Sequence, residues 1–359
     1  MPGRSRPALR DLDARRVALL KPSALGDIVH SLPVLVALRR RFPHAHISWV
    51  VNRAYEPLLA GHPALDETIP FDRGAARGGW WTASRSWLRF LRELRRKRFD
   101  LVVDLQGLLR TGIMARATGA PRRVGLSSAR EGTTWFYTDV VEVARHDETH
   151  AVDRYWLVAE ALGVGDGPKR FDVPVPEAAR AWAREQLHGC PRPWLAVGVG
   201  SRWPTKRWPP QHFAALVQRA LERFGGTAVF VGGGDEAALA QEARQHLVGP
   251  ARDLTGRTSL PQLAAVLEQA DVILANDTGP LHLAVALGRP VVAPYTCTKV
   301  RRTGPYHAAG GAVETRVWCQ GSYVKRCPRL ECMTELTPDR LWPLLDEALS
   351  TWQSRSRSA

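Results

Sequence analysis

The stretch Asp277-Thr278-Gly279-Pro280-Leu281-His282 follows a short apolar run, Val272 to Ala275, and opens a small-residue apolar segment, Leu283 to Leu287. That order reads as strand, tight turn and helix start. Such a turn presents unpaired backbone N–H groups, a threonine hydroxyl and a histidine at the positive end of a helix dipole, where phosphate is attracted. The chemistry on offer from Asp277, Thr278, Gly279 and His282 is the holding of a nucleotide diphosphate; the same residues also suit an N-cap and turn with no ligand.

Three other stretches carry chemistry at comparable places. In Lys21 to His30, directly after an apolar run, Asp27 starts a helix at the carboxyl edge of a sheet. A carboxylate there can accept a proton from a substrate hydroxyl if it stays ionised and within reach, or simply stabilise the helix dipole; Gly26 beside it allows close approach. In Gly198 to Pro209, Ser201 and Lys206 can contact a diphosphate, Lys206 neutralising charge as the leaving phosphate departs; the bland alternative is a solvated basic loop. Val231-Gly232-Gly233-Gly234-Asp235-Glu236 lacks the lysine and hydroxyl residue of a P-loop and the spaced glycines of a dinucleotide fingerprint. An acid there suits a ribose or sugar hydroxyl better than a phosphate. Cys319, Cys327 and Cys332 are spaced C-x7-C-x4-C, without the paired short spacings of a zinc ribbon, so reduced thiols in a packed loop are expected and no metal.

These residues need elements to position them. Apolar β-type runs at Val17 to Leu20, Ile47 to Val51 and Leu101 to Asp104 alternate with helical patterns, the first from about Gly26 to Arg41. A glycine- and proline-rich change follows at Gly163 to Pro193. The pattern then restarts with Leu195 to Val199, a helix from Pro210 to Phe224, Ala228 to Val231, a helix from Asp235, Asp271 to Ala275 and Val291 to Ala293, and an amphipathic segment Pro338 to Trp352 closes it. Strands alternating with helices imply parallel sheets. The expectation is an α/β chain of two doubly wound domains facing a central cleft: a basic extension over 1–15, an acceptor domain over 16–175, a donor domain over 176–336, and a C-terminal helix and polar tail over 337–359.

With 359 residues the chain exceeds one hydrophobic core, which favours two domains. There is no apolar run of membrane-spanning length, and the basic start has no apolar signal-peptide core; a cytoplasmic protein is expected. Five cysteines, an odd number, argue against a disulfide framework. The formal net charge of +15 attracts nucleic acid, an anionic membrane surface or a phosphorylated substrate alike. Trp80, Trp81 and Trp87 sit among Arg73, Arg77, Arg85 and Arg89, a mixture that suits lipid headgroups. The basic residues form no recognised nucleic-acid motif, so no specific nucleic acid is expected.

Taken together, the chain resembles glycosyltransferase family 9, the heptosyltransferases, from about Val17 to Leu349. The resemblance rests on ordered motifs: Ser-x-x-Gly-Asp-x-x-His-x-Leu-Pro at Ser23 to Pro33, Asp104-Leu105-Gln106-Gly107, Arg123 to Glu131, Lys206-Arg207-Trp208-Pro209, Asp277-Thr278-Gly279 with His282, and Thr303 to Tyr306. It implies the GT-B architecture, two Rossmann-like domains, and a final helix returning to the first. It implies inverting transfer from ADP-L-glycero-D-manno-heptose to a phosphorylated lipopolysaccharide inner-core acceptor, at the inner face of the inner membrane and without a required metal or other cofactor. By similarity Asp27 is the base, Lys206 and Ser201 contact donor phosphate, Glu236 contacts the ribose, and the Asp277 to His282 turn holds sugar and diphosphate. Ser23, Gly26, His30, Gln106 and Arg123 fall on the acceptor side.

The chain departs from the family pattern at Thr296-Cys297-Thr298-Lys299-Val300, which keeps only Thr298, and at Arg202, which adds charge beside the diphosphate. Both leave the donor sugar open to another heptose or a hexose. The competing readings are a nucleotide-sugar epimerase of similar build, which would not explain Asp27 or the basic segment, and a basic nucleic-acid-binding protein.

Overall fold

The computed structural model describes residues 7–72, 80–308 and 310–357. The first six residues of the basic extension, Arg73 and Arg77 of the basic segment, and the last two residues of the tail lie outside them. The chain divides into two compact units, Met1–Pro174 and Val175–Ala359.

In the first unit the strands are β1 (Arg16–Leu20), β2 (His46–Asn52), β3 (Glu67–Phe71), β4 (Leu101–Asp104), β5 (Arg122–Leu126) and β6 (Asp139–Val141). They form one all-parallel sheet in the order β3-β2-β1-β4-β5-β6. Its helices are α1 (Leu25–Arg41), α2 (Trp80–Arg96), α3 (Leu109–Thr118) and α4 (Ala151–Ala161). β1 and β4 are buried almost throughout, which is why they read as continuous apolar runs: a sheet covered on both faces has no solvent side to alternate with.

The second unit repeats the plan. Its strands β7 (Trp194–Gly198), β8 (Thr227–Phe230), β9 (Ala251–Asp253), β10 (Val272–Ala275), β11 (Val291–Tyr295) and β12 (Gly310–Glu314) are parallel in the order β12-β11-β10-β7-β8-β9. The helices are α5 (Glu177–Gln186), α6 (Pro210–Phe224), α7 (Ala237–Gln245), α8 (Leu260–Gln269), α9 (Gly279–Ala286), α10 (Val300–Thr303), α11 (Glu331–Glu335) and α12 (Pro338–Arg357). In both sheets the first and fourth strands of the unit are neighbours, so the chain departs from them in opposite directions. The carboxyl ends of β1 and β4, and of β7 and β10, flank the topological switch point, where open α/β sheets bind ligands.

α12 buries Leu341, Trp342, Leu345, Ala348 and Leu349 in the core of the second unit with Trp208, Phe213, Val217 and Val292. An apolar stripe at i, i+1, i+4, i+7 and i+8 has a side to bury, and α6 and the second sheet cover it.

Candidate active site

In the first unit, Asp27 sits in the first turn of α1, three residues past the helix start at Ala24, whose N–H donates to Asp27 Oδ2 at 3.2 Å. The Tyr155 hydroxyl, from α4, donates to Asp27 Oδ1 at 3.1 Å, and Lys21 Nζ lies 3.7 Å from the same oxygen. Burial pushes the Asp27 carboxyl up, but Lys21, the Ala24 N–H, Tyr155 and Arg154 outweigh it and hold the group below the usual carboxylate range. The side chain stays 41% exposed, so Asp27 is both ionised and open to a substrate.

The other residues that the family resemblance puts on the acceptor side separate into two sets. Gln106 follows β4, and its side-chain oxygen accepts the Ser23 N–H at 3.3 Å, joining the turns after β1 and β4. Gln106 itself is placed by Asp104, whose Oδ1 accepts the N–H groups of Gln106 and Gly107 at 2.9 and 3.1 Å; Gly107 takes φ +64°, a conformation suited to glycine. Gly26 is in the first turn of α1, and buried His30 is one turn further, its ring 5.4 Å from that of His150. Arg123 is not brought to this set. It lies near the amino end of β5, where its guanidinium donates to the carbonyls of Phe136 and Ala120 at 2.8 and 2.6 Å.

In the second unit the residues converge on Asp277, whose side chain is 4% exposed. Its Oδ2 accepts from Lys206 Nζ at 2.5 Å and from the Thr298 hydroxyl at 2.7 Å; Oδ1 is 3.2 Å from both His282 Nε2 and the Tyr295 hydroxyl. Burial opposes ionisation, but Lys206 and His282 overcome it and hold the Asp277 carboxyl well below the usual range. Thr298, the residue the divergent loop retains, thus has a definite partner. Asn276 fixes the Lys206 loop against β10: its side chain accepts the Trp208 N–H at 3.1 Å and donates to the Val199 carbonyl at 2.8 Å. Lys206 also lies over the Trp203 ring, 4.9 Å from its centroid.

Thr278 is the helix-preceding residue and Gly279 the first residue of α9, next to this cluster. Ser201 is buried, its carbonyl accepting Arg207 Nε at 2.6 Å, while Arg202 is exposed. Glu236 packs over the same loop: a Cβ built on Gly200 would fall 1.9 Å from the Glu236 carboxyl carbon. Burial, with Asp235 nearby, pushes the Glu236 carboxyl up despite the Gly233 N–H and Arg207. Sequence reasoning did not single out Lys21, Tyr155, Asn276 or Tyr295 as site residues. Lys21 and Asn276 each stand one position beyond a strand whose end was read; nothing local in α4 or β11 marks the two tyrosines.

All five cysteines are free thiols. Burial, with Cys319, Cys297 and Cys327 nearby, pushes the Cys332 thiol up to about 11, which keeps it protonated near neutrality. Among the described residues no three His, Cys, Asp or Glu side chains gather as a metal-holding group.

Two parallel six-stranded sheets of one strand order, each with a carboxylate-centred cluster at its switch point, are the GT-B architecture of glycosyltransferases. Residues 87–333 match the model of glycosyltransferase family 9 (heptosyltransferase). The chain belongs to that family and is a glycosyltransferase. It is 32% identical to lipopolysaccharide heptosyltransferase 1 of Pseudomonas aeruginosa, covering 93% of this chain and 98% of that one. A crystal structure of a family 9 glycosyltransferase from Veillonella parvula superposes with a TM-score of 0.84 at 26% identity, covering 95% of this chain and 99% of the other. The E. coli heptosyltransferase WaaC with ADP superposes with a TM-score of 0.72 at 25% identity, covering 93% and 99%.

Proposed function

We propose that the protein transfers a heptose from ADP-L-glycero-D-manno-heptose to a phosphorylated inner-core acceptor of lipopolysaccharide, with inversion and without a metal. The relative from P. aeruginosa is named for heptose transfer in lipopolysaccharide, and WaaC was crystallised with ADP. The observation that carries the reading is the division of labour between the two switch points: an ionised, exposed carboxylate in one unit and a fixed cation beside a helix start in the other.

The acceptor hydroxyl oxygen attacks the anomeric carbon as Asp27 takes its proton, and the bond from that carbon to the diphosphate breaks, leaving ADP. Inversion follows from a single displacement with base and leaving group on opposite faces of the sugar. The charge that grows on ADP is met by Lys206 and the N–H groups at the start of α9. Asp277 holds Lys206 in place, and exposed Arg202 adds positive charge to that of Lys206 and the helix dipole. Glu236, beside Gly200, serves the ribose. The family assignment sets aside the epimerase reading.

The acceptor is a glycolipid, and α2 is suited to meet its membrane at the inner face of the inner membrane. Trp80 and Trp81 are 67% and 66% exposed, while Trp87, Phe90 and Leu94 anchor the helix to the first core. No helix among the described residues is long and apolar enough to cross a membrane.

The test is transfer from ADP-heptose to a Kdo-bearing lipid A acceptor by the wild type and by Asp27→Ala. Loss of a general base removes about 10²–10⁴ of rate, with donor binding retained. Full activity of Asp27→Ala would remove it from the mechanism, and failure of the wild type to bind ADP-heptose would overturn the donor.

A further inference from the structure

We infer that Lys21 and Tyr155 form a latch behind Asp27 that keeps its carboxylate charged and aimed, which makes Tyr155 on α4 a positioning residue for transfer. The inference rests on Asp27 being the base proposed above. Lys21 Nζ donates to the Leu105 carbonyl at 3.0 Å and to the Tyr155 hydroxyl at 2.8 Å, and its side chain is only 3% exposed. Its distance to Asp27 Oδ1, 3.7 Å, is beyond a hydrogen bond. Tyr155 bridges that gap. A phenol accepts and donates at once, and here it accepts from the ammonium and donates to the carboxylate at 3.1 Å.

The parts of the latch are rigidly mounted. The Lys21 carbonyl accepts the buried Trp49 Nε1–H at 3.1 Å, and α4 packs on α1 through Trp156, Ala159 and Ala37. The machinery is buried while the carboxylate it holds is not: Tyr155 is 4% exposed against 41% for the Asp27 side chain. The buried ammonium ties the end of β1 to the turn after β4 through the Leu105 carbonyl and lies 4.5 Å from the centroid of the Tyr155 ring. Its field falls on the one acid that must be ionised before each turnover. The cost is a weaker base; the gain is a carboxylate that is deprotonated at neutral pH and returns its acquired proton to water quickly.

The other ionisable groups around this acid do not substitute for the pair. Arg154 on α4 favours the charged form but lies behind the Tyr155 ring, 5.6 Å from its centroid. Asp104, at the end of β4, interacts with Lys21 and accepts from Tyr137 at 2.9 Å. His30, one turn along α1, stacks edge-on with His150.

The experiment uses the full chain as wild type, Tyr155→Phe, Lys21→Met and Asp27→Asn. The Asp27 carboxyl carbon is followed by NMR titration in protein labelled at aspartate, Asp27→Asn supplying the assignment. The titration midpoint rises in Tyr155→Phe and rises further in Lys21→Met. The acidic limb of the kcat profile moves the same way, and kcat of Tyr155→Phe falls about ten- to hundred-fold with KM for the donor unchanged. An unmoved midpoint in Tyr155→Phe, or parallel losses in kcat and KM with no shift of the limb, overturns the latch. Tyr155→Phe keeps the ring that packs α4, so it decides the matter even if Lys21→Met fails to fold. Full activity in Asp27→Asn would instead overturn the base, while the carboxyl titration still reads the latch by itself.

Discussion

Lys206 and Asp277 are a pair whose removal has two separable effects. With side chains 17% and 4% exposed, breaking the pair leaves a charge out of water, at a cost of about 3–5 kcal/mol. Lys206→Met is expected to lose that much local stability at pH 7, read by hydrogen exchange of the β7 and β10 amides, and about 10²–10³ of kcat through loss of the cation at the leaving group. Because the Asp277 carboxyl is depressed in the native state, its contribution is complete above the unfolded value of about 3.9 and is lost as pH falls below it toward the native value. The stability difference between wild type and Lys206→Met should therefore hold from neutrality to about pH 4 and shrink below it; a difference that shrinks between pH 8 and 6 would point to another group. Asp277, Lys206 and Asp27 were legible in the sequence because each lies a few residues past the end of an apolar strand. Thr298, just past β11, shares that mark, but Tyr155 on α4 does not: it reaches Asp27 from 128 positions away, and only the folded chain pairs them.

At the scale of elements, the turn after β7 is shaped by what lies on it. A methyl at Gly200 would meet the Glu236 carboxyl group, the movable end of a side chain, so Gly200→Ala should displace Glu236 from the Gly233 N–H it accepts at 3.0 Å with little loss of stability. The expected result is weaker ADP binding by calorimetry with the thermal midpoint within a few degrees of wild type; unchanged ADP affinity would remove Glu236 from the nucleotide site. The elements themselves were legible unevenly. The central strands β1, β4, β7 and β10 announce themselves because both their faces are buried. The outer strands β3, β5, β6, β9 and β12 are short or carry arginines, glycines and a proline, and such segments pair only because a neighbouring strand offers an edge. The glycines after β8 lead first into a single tight turn, Gly234–Glu236, before α7, so the helix begins two residues later than the acids suggest.

At the scale of the whole molecule, part of the charge of +15 falls on one exposed helix, α2. Arg85, Arg89, Arg92, Arg95 and Arg96 are all exposed on this helix, and none makes an ion pair among the described residues, whereas the neighbouring Lys97 is paired with Glu67. Guanidinium groups left without acids are available to phosphate, and the two exposed indoles beside them, tilted against each other with ring centroids 3.8 Å apart, are suited to the headgroup layer. Near an anionic surface each arginine contributes about 1 kcal/mol, so changing Arg85, Arg89 and Arg92 together to Gln should weaken binding to anionic vesicles by about two orders of magnitude. Binding of the wild type should also fall steeply with added salt. Trp80→Ala with Trp81→Ala should instead remove the part of the binding that survives high salt, because burial of an indole is not screened. Co-sedimentation with vesicles of anionic or zwitterionic phospholipid separates these terms. Equal binding to both vesicle types, or a triple-arginine variant that binds anionic vesicles like the wild type, would move the membrane contact away from α2 and leave its charge facing some other polyanion.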